Sequence, residues 1–202
     1  KKEYQMVSSS RISVNLKVFR SRSLMANHFP TPQIECYVVE CSCKHNPWTV
    51  DCGHKQWSYL PKLSNPRLIQ TLHLDYNNFT KLYDGMFQSL RNLLYINLHK
   101  NKISQIEPNA FQSLVRLDWL VLSYNRLTVL HDSIFYPIPS ATILDLRFNI
   151  HLKNLPLSMR NMLKLHFLLL DCIGINSPMF NGTITAKQFE NLKDTPLTYL
   201  GL

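Results

Sequence analysis

Residues 93–101, Leu-Leu-Tyr-Ile-Asn-Leu-His-Lys-Asn, are followed 24 positions later by residues 117–125, Leu-Asp-Trp-Leu-Val-Leu-Ser-Tyr-Asn. Both stretches carry aliphatic residues at their first, fourth and sixth positions and asparagine at the ninth. The same pattern ends at Asn77 and Asn149, so four asparagines stand 24 residues apart. Ten positions after each of the first three asparagines stands a phenylalanine: Phe87, Phe111 and Phe135. Such a period predicts similar units stacked on one shared core.

The pattern is that of the leucine-rich repeat. It predicts an α/β solenoid, a horseshoe segment with short parallel strands on its concave face. Side chains before each asparagine should alternate between core and concave face. The asparagine amide should be buried, where it pairs with backbone groups of a tight bend. The phenylalanines should fill the wider convex side.

The repeats are predicted over residues 67–202, as about five units and a truncated sixth. The fourth unit has no phenylalanine at the convex position. The fifth has Ile173 in place of asparagine, and eight extra residues that we assign to a loop at residues 177–186. The chain stops within the next strand pattern, at Leu202. We therefore expect the N-terminal fragment of a longer array, because terminal units of a solenoid need polar caps.

Composition places the chain among globular proteins. Hydrophobic residues make up 45% and charged residues 17% of the 202 residues, which is too apolar for a disordered chain. The net charge is +9, and residues 1–35 hold six basic and two acidic side chains. We predict a flexible basic arm over residues 1–35. A basic balance could favour acidic partners, although dispersed solvated Lys and Arg side chains explain it more simply.

Four of the five cysteines predict a disulfide-bonded cap over residues 36–66: Cys36, Cys41, Cys43 and Cys52. Four cysteines permit three pairings. A bridge between Cys41 and Cys43 would close a strained ring, so Cys36–Cys43 with Cys41–Cys52 is preferred. A cap this small has little core, and disulfides would supply the missing constraint. Disulfides in turn indicate an oxidising compartment.

The alternative use of these cysteines is a zinc site that includes His45 or His54. A single-residue spacing between Cys41 and Cys43 is too tight for the usual chelating pairs, so we predict no metal and no cofactor. The fifth cysteine, Cys172, is either a buried thiol or the partner of a cysteine beyond the chain.

Two glycosylation sequons agree with secretion. Asn78 opens Asn-Phe-Thr beside a ladder asparagine, and Asn181 opens Asn-Gly-Thr in the predicted loop.

These residues together resemble the N-terminal end of a Toll-like receptor ectodomain. The cap from Cys41 to Pro61 is similar to that of extracellular leucine-rich repeat proteins in general. The phenylalanine-bearing repeats, the long fifth unit with its sequon and the stretch 189–202 are the more Toll-like features. The resemblance covers residues 36–202. It implies many more repeats, a membrane span and a cytoplasmic signalling domain in the complete receptor, and signalling through homo- or heterodimers.

A ligand would be recognised by strand side chains that point away from the core. The most binding-like patch is formed by exposed aromatic and polar positions of neighbouring units: Tyr95, Asn97, His99 and Trp119. Tyr76, Tyr124 and Phe148, just before the ladder asparagines, are predicted to be partly buried edge residues.

A second possibility is an endosomal sensor of anionic ligands, including nucleic acid. Three histidines of the repeats would gain charge at acidic pH: His73, His99 and His166. Carboxylates share the same face, however, and no basic groove of a single sign appears: Asp75, Asp118 and Asp145.

The preferred function is ligand recognition by an innate immune receptor, outside the cell or in the endosomal lumen. Its partner would be a protein or a microbial ligand, and membrane attachment would come only through segments that this sequence lacks. The alternative is a secreted matrix or adhesion protein. We expect no enzyme, because the sequence contains no nucleophile elbow, zinc-protease motif or phosphate-binding glycine loop.

Overall fold

The computed structural model describes residues 40–43, 48–171 and 189–201. Seven short strands form one parallel concave sheet in the order β1-β2-β4-β6-β7-β8-β9. They are β1 (Thr49–Asp51), β2 (Thr71–His73), β4 (Tyr95–Asn97), β6 (Trp119–Val121), β7 (Ile143–Asp145), β8 (Phe167–Leu169) and β9 (Tyr199–Gly201). A smaller parallel pair, β3 (Lys81–Leu82) and β5 (Gln105–Ile106), lies outside this sheet.

Strand register follows the repeat period. Tyr95 pairs with Trp119 and Trp119 with Ile143, so equivalent positions of successive units lie side by side. Three 3-10 helices, Pro66–Leu68, Leu157–Asn161 and Glu190–Leu192, lie in the connections between strands. The predicted leucine-rich repeat horseshoe is therefore confirmed, with about five turns. Among the described residues, no helix has the length and apolar character needed to cross a bilayer.

The asparagine ladder occupies one interior row, as predicted. The Asn101 amide nitrogen donates to the carbonyls of Leu74 and Leu98, at 3.0 and 3.1 Å, and its oxygen accepts from the Phe79 N–H at 3.1 Å. Asn125 repeats these contacts one unit later. Each ladder residue thus pairs three backbone groups that the tight bend would leave unsatisfied in the core.

The convex side of the core holds the phenylalanine column. Phe87 and Phe111 are fully buried, with stacked ring centroids 6.4 Å apart. The fourth unit places Met159 at the equivalent position, ten residues after Asn149, and this side chain is also fully buried. An unbranched thioether can fill a space shaped for an aromatic ring. The repeat therefore continues through the unit that lacks phenylalanine.

The cap supplies the first strand of the sheet. Cys41 and Cys52 form a disulfide, as expected, and Ser42 pairs with Asp51 in an antiparallel bridge. Strand β1 then pairs with β2 in parallel register. Cys41 and Cys52 are bonded to each other, so they are not the zinc ligands that the alternative use of these cysteines would require.

Cys43 is also disulfide-bonded. Its predicted partner, Cys36, lies outside the described residues. The same holds for the arm 1–35, His45, Cys172, the loop 177–186 and Asn181, so the predictions made for them stand as predictions.

Candidate ligand-binding surface

The concave sheet presents three columns of outward side chains. Leucine and isoleucine at alternate strand positions, such as Leu72 and Ile96, are fully buried, so the residues between them face away from the core. Because the strands are parallel and in register, each column contains one residue from every unit. Neighbouring members of a column lie about 4.8 Å apart, the usual strand spacing.

The structure brings Tyr95 and Trp119 into contact. Their ring centroids are 5.1 Å apart and their planes meet at 88°. On the other side of Tyr95, the His73 ring lies 5.3 Å away. All three side chains are half-buried, so a ligand would reach rings whose orientation is fixed by their neighbours.

The other two predicted site residues are held by hydrogen bonds within the sheet. The Asn97 amide donates to Asp75 Oδ1 at 3.1 Å and accepts from the His99 N–H at 3.0 Å. His99 Nδ1 lies 2.9 Å from Ser123 Oγ. Asn97 and His99 therefore support the face, and the two aromatic rings are its more available recognition elements.

Burial lowers the pKa of His99 and nearby Lys100 lowers it further, while Asp145 and Asp75 oppose both effects. A histidine whose folded-state pKa is depressed favours the neutral form. Its contribution to stability is present above the unfolded pKa, about 6.5, and is lost as pH falls through the folded value. His99 consequently charges at a lower pH than an exposed histidine, which argues against its use as an endosomal switch.

Burial also raises the pKa of Tyr95 to about 12, and the carboxylates of Asp75 and Asp145 add to this effect. The phenol is therefore neutral throughout the physiological range. Tyr95 offers a ligand an aromatic ring and a hydroxyl without charge.

Two carboxylates of this face have different partners. Asp145 is almost completely buried and is paired with Arg147 through two contacts, at 2.9 and 2.8 Å. Asp75 lies beside His54 and His73, 3.9 and 3.8 Å from their ring nitrogens. Arg147 therefore neutralises Asp145, whereas the groups beside Asp75 are two histidines.

Four ring-bearing residues and one lysine border the carboxyl ends of the strands. We call this set the rim: His54, Tyr76, Lys100, Tyr124 and Phe148. All five have φ between 50° and 59°, the left-handed region. His54 stacks on Tyr76 at 4.2 Å, and Tyr124 stacks on Phe148 at 4.0 Å. The ammonium of Lys100 lies between the stacks, 4.8 and 5.4 Å from the rings of Tyr76 and Tyr124.

The sequence predicted Tyr76, Tyr124 and Phe148 as partly buried edge positions, but it did not predict the contacts of Lys100 with the two tyrosine rings. Tyr76 and Tyr124 are each 41% exposed. The available signal was the position itself, because every rim residue except His54 directly precedes a ladder asparagine. A shallow depression of about 540 Å³ lies at the end of the rim, lined by Tyr124, Asn125, Arg126, Phe148, Ile150 and His151.

Comparison with known proteins agrees with the repeat pattern. A family model described as leucine rich repeat matches residues 67–127. Leucine-rich repeat-containing G-protein coupled receptor 5 of Rattus norvegicus is 38% identical over 81 residues, which are 39% of this chain and 9% of that protein. Reticulon-4 receptor-like 2 of Homo sapiens is 36% identical over 97 residues, 48% of this chain and 22% of that protein. The chain thus matches less than a quarter of the length of either relative.

Two solved structures share the fold. The TLR13–ssRNA13 complex gives a TM-score of 0.66 at 24% identity, covering 81% of this chain and 22% of that one. Human 5T4, also called Wnt-activated inhibitory factor 1 or trophoblast glycoprotein, gives a TM-score of 0.67 at 21% identity, covering 85% of this chain and 64% of that one. Together with the asparagine ladder and the matched residues 67–127, these likenesses identify the chain as a leucine-rich repeat solenoid.

Proposed function

We propose that this chain is the ligand-recognition part of an innate immune receptor of the Toll-like type. In this proposal it binds a microbial or protein ligand through the concave face. It signals only within a longer single-pass membrane protein, as a homo- or heterodimer. The compartment is extracellular or the endosomal lumen, in line with the Cys41–Cys52 disulfide.

The observation that carries the proposal is the perpendicular pair of Tyr95 and Trp119 at the centre of the concave sheet. Half-buried aromatic rings of fixed orientation are the side chains on which binding energy most often concentrates. Two adjacent large rings that are partly exposed to solvent would be unusual on a sheet with a purely structural role. The carboxylate of Asp75, which no described lysine or arginine pairs, disfavours a polyanion here, so we place protein or neutral microbial ligands ahead of nucleic acid.

The alternative is an adhesion or matrix protein that binds other proteins. The two similar proteins are receptors of other kinds by name, so the repeats by themselves do not indicate an immune role. In that case the same face would serve protein–protein contacts without an immune role.

A binding panel separates the two functions. The full chain would be immobilised and presented with defined lipopolysaccharide, lipopeptide, peptidoglycan, single-stranded RNA and flagellin, and with collagen, laminin and fibronectin. We expect at least one microbial ligand to bind. Tyr95→Ala combined with Trp119→Ala should weaken that binding at least about tenfold, the effect of losing a hot spot.

Tyr136→Ala is the matched control, since Tyr136 is a 51% exposed ring away from the concave strands. It should bind as the unchanged chain does. Binding to matrix proteins alone would overturn the receptor proposal in favour of the alternative, and equal losses in both variants would remove the concave face from it.

A further inference from the structure

Two carboxylates converge above Gly53 at the N-terminal end of the concave face. A methyl group placed on Gly53 would lie 3.2 Å from Asp51 Oδ1 and 3.4 Å from each carboxylate oxygen of Asp75. Glycine therefore leaves open a space that is bordered by three carboxylate oxygens. The two charges come from neighbouring turns, because Asp51 ends β1 and Asp75 follows β2.

Within the part of the chain that the structure describes, no lysine or arginine forms an ion pair with either carboxylate. Asp51 Oδ1 accepts the Gly53 N–H at 3.0 Å, and Asp75 Oδ1 accepts the Asn97 amide at 3.1 Å. The neighbouring histidines approach Asp75 no closer than 3.8 Å. Two like charges border the same open space, so this space attracts a cation from outside.

The other end of the face shows the contrast. There Arg147 neutralises Asp145 through a bidentate contact, and Asp171 also raises the pKa of this arginine. The same sheet thus pairs its carboxylates internally at β7 and leaves them without a strong cation at β1 and β2. A partner would find its ionic anchor at the N-terminal end.

Aromatic surface begins one strand away from this anchor. The Tyr95 ring lies between His73 and Trp119, at 5.3 and 5.1 Å. Guanidinium and ammonium groups are attracted to such rings, and aliphatic side chains pack on them. The step from β1 to β6 crosses three strand spacings, about 14 Å, which an extended peptide covers in about four residues.

We propose, building on the ligand-recognition function above, that the N-terminal half of the concave face docks a partner protein through an extended basic segment. An arginine or lysine side chain of the partner enters the space above Gly53, between Asp51 and Asp75. An apolar side chain about four residues further along packs against Tyr95 and Trp119. Bidentate pairing with carboxylates makes arginine the better fit of the two.

The test uses the full chain and a synthetic peptide, acetyl-Gly-Arg-Arg-Gly-Ser-Leu-Leu-Gly-amide, followed by calorimetry and by tryptophan fluorescence. We expect saturable binding that weakens with added salt, because exposed charges are screened. A peptide of the same composition in scrambled order, with its arginines separated from its leucines by one residue or none, should bind at least about fivefold more weakly. Equal binding of the two peptides would show unspecific charge attraction and overturn the proposal.

Asp51→Asn combined with Asp75→Asn keeps both hydrogen bonds described above but removes the charges. This variant should bind the basic peptide at least about tenfold more weakly. Glu190→Gln combined with Asp194→Asn makes the same change in net charge at two exposed positions away from the concave face and should leave the affinity unchanged. Equal effects of the two double variants would contradict the proposed site.

Gly53→Ala provides a second variant that retains both carboxylates. Its methyl group occupies the open space at ordinary to tight contact distance, so peptide affinity should fall while net charge and thermal unfolding stay near those of the unchanged chain. Unchanged affinity would overturn the placement of the basic side chain.

The remaining outcomes separate this inference from the broader function. If the peptide binds but no microbial ligand does, only the receptor proposal is overturned. If a microbial ligand binds but the peptide does not, only the proposed docking site for a basic segment is overturned. An affinity that rises when Arg11, Lys17, Arg20 and Arg22 are all changed to Gln would identify the chain's own arm as the occupant and overturn an external partner.

Discussion

Asn125 carries much of the repeat's stability in a single side chain. Its amide nitrogen donates to the carbonyls of Leu98 and Leu122, both at 3.0 Å, and its oxygen accepts from the Ile103 N–H at 3.0 Å. Asn125→Ala would leave these three buried backbone groups unpaired. We expect the free energy of unfolding to fall by about 2–4 kcal/mol in urea denaturation, since each unsatisfied buried group costs roughly 1 kcal/mol or more.

Asn125→Asp tests the donated hydrogen bonds separately from the loss of side-chain volume. The shape is preserved, but a carboxylate cannot donate to the two carbonyls, so the loss at neutral pH should be at least as large as for alanine. Asn161→Ala is the control, because Asn161 is exposed at the end of a 3-10 helix and should change stability by less than about 0.5 kcal/mol. A loss at Asn125 no greater than at Asn161 would contradict the ladder's energetic role.

For the single strand and its bend, the spacing of apolar residues predicted the structure well, whereas the identity of the solvent-facing residues predicted little of their contacts. A nine-residue pattern with period 24 was enough to place β2, β4, β6 and β7 with their ladder asparagines, because burial enforces this alternation in each of these units. The pattern says nothing about residues that face solvent. The meeting of Asp51 with Asp75, and the position of Lys100 between two tyrosine rings, depend on cross-strand neighbours that only the register reveals.

The backbone conformation in the bend after each strand predicts that glycine is more stable than alanine at position 100, which is the reverse of the usual order. Its φ is 50°, a region that costs any residue with a Cβ about 1 kcal/mol and costs glycine almost nothing. Lys100→Ala keeps that cost and loses the contacts with Tyr76 and Tyr124. Lys100→Gly loses the same contacts but relieves the backbone, so it should be about 1 kcal/mol more stable than Lys100→Ala in urea unfolding.

Lys102, two residues on, gives the matched comparison. It is also an exposed lysine, and its φ is not positive. There the usual order should return, with Lys102→Gly about 0.5 kcal/mol less stable than Lys102→Ala. The same order at both positions would mean that the rim backbone is not strained in the way its dihedral angles indicate.

For the molecule as a whole, stability is a sum of units and of the contacts between neighbours. An interior strand such as β6 is paired with a strand on both sides, whereas β1 has β2 on one side and, among the described residues, the single bridge to Ser42 on the other. The cap compensates by linking its strand to the ladder. Cys52 supplies a carbonyl to the Asn77 amide at 2.9 Å, and the Trp57 N–H donates to the Asn77 oxygen at 3.0 Å.

The Cys41–Cys52 disulfide should therefore decide whether this end of the solenoid stays closed. It joins residues 11 positions apart, and a loop of that length corresponds to about 3 kcal/mol of stabilisation. With both cysteines changed to alanine, we expect hydrogen exchange to accelerate first at the amides of β1 and β2, while those of β6 stay protected. Because neighbours couple only pairwise, local opening at the cap need not spread along the array. An equal rise of exchange in β6 would show that the units unfold together and that the cap is no separate end of the stack.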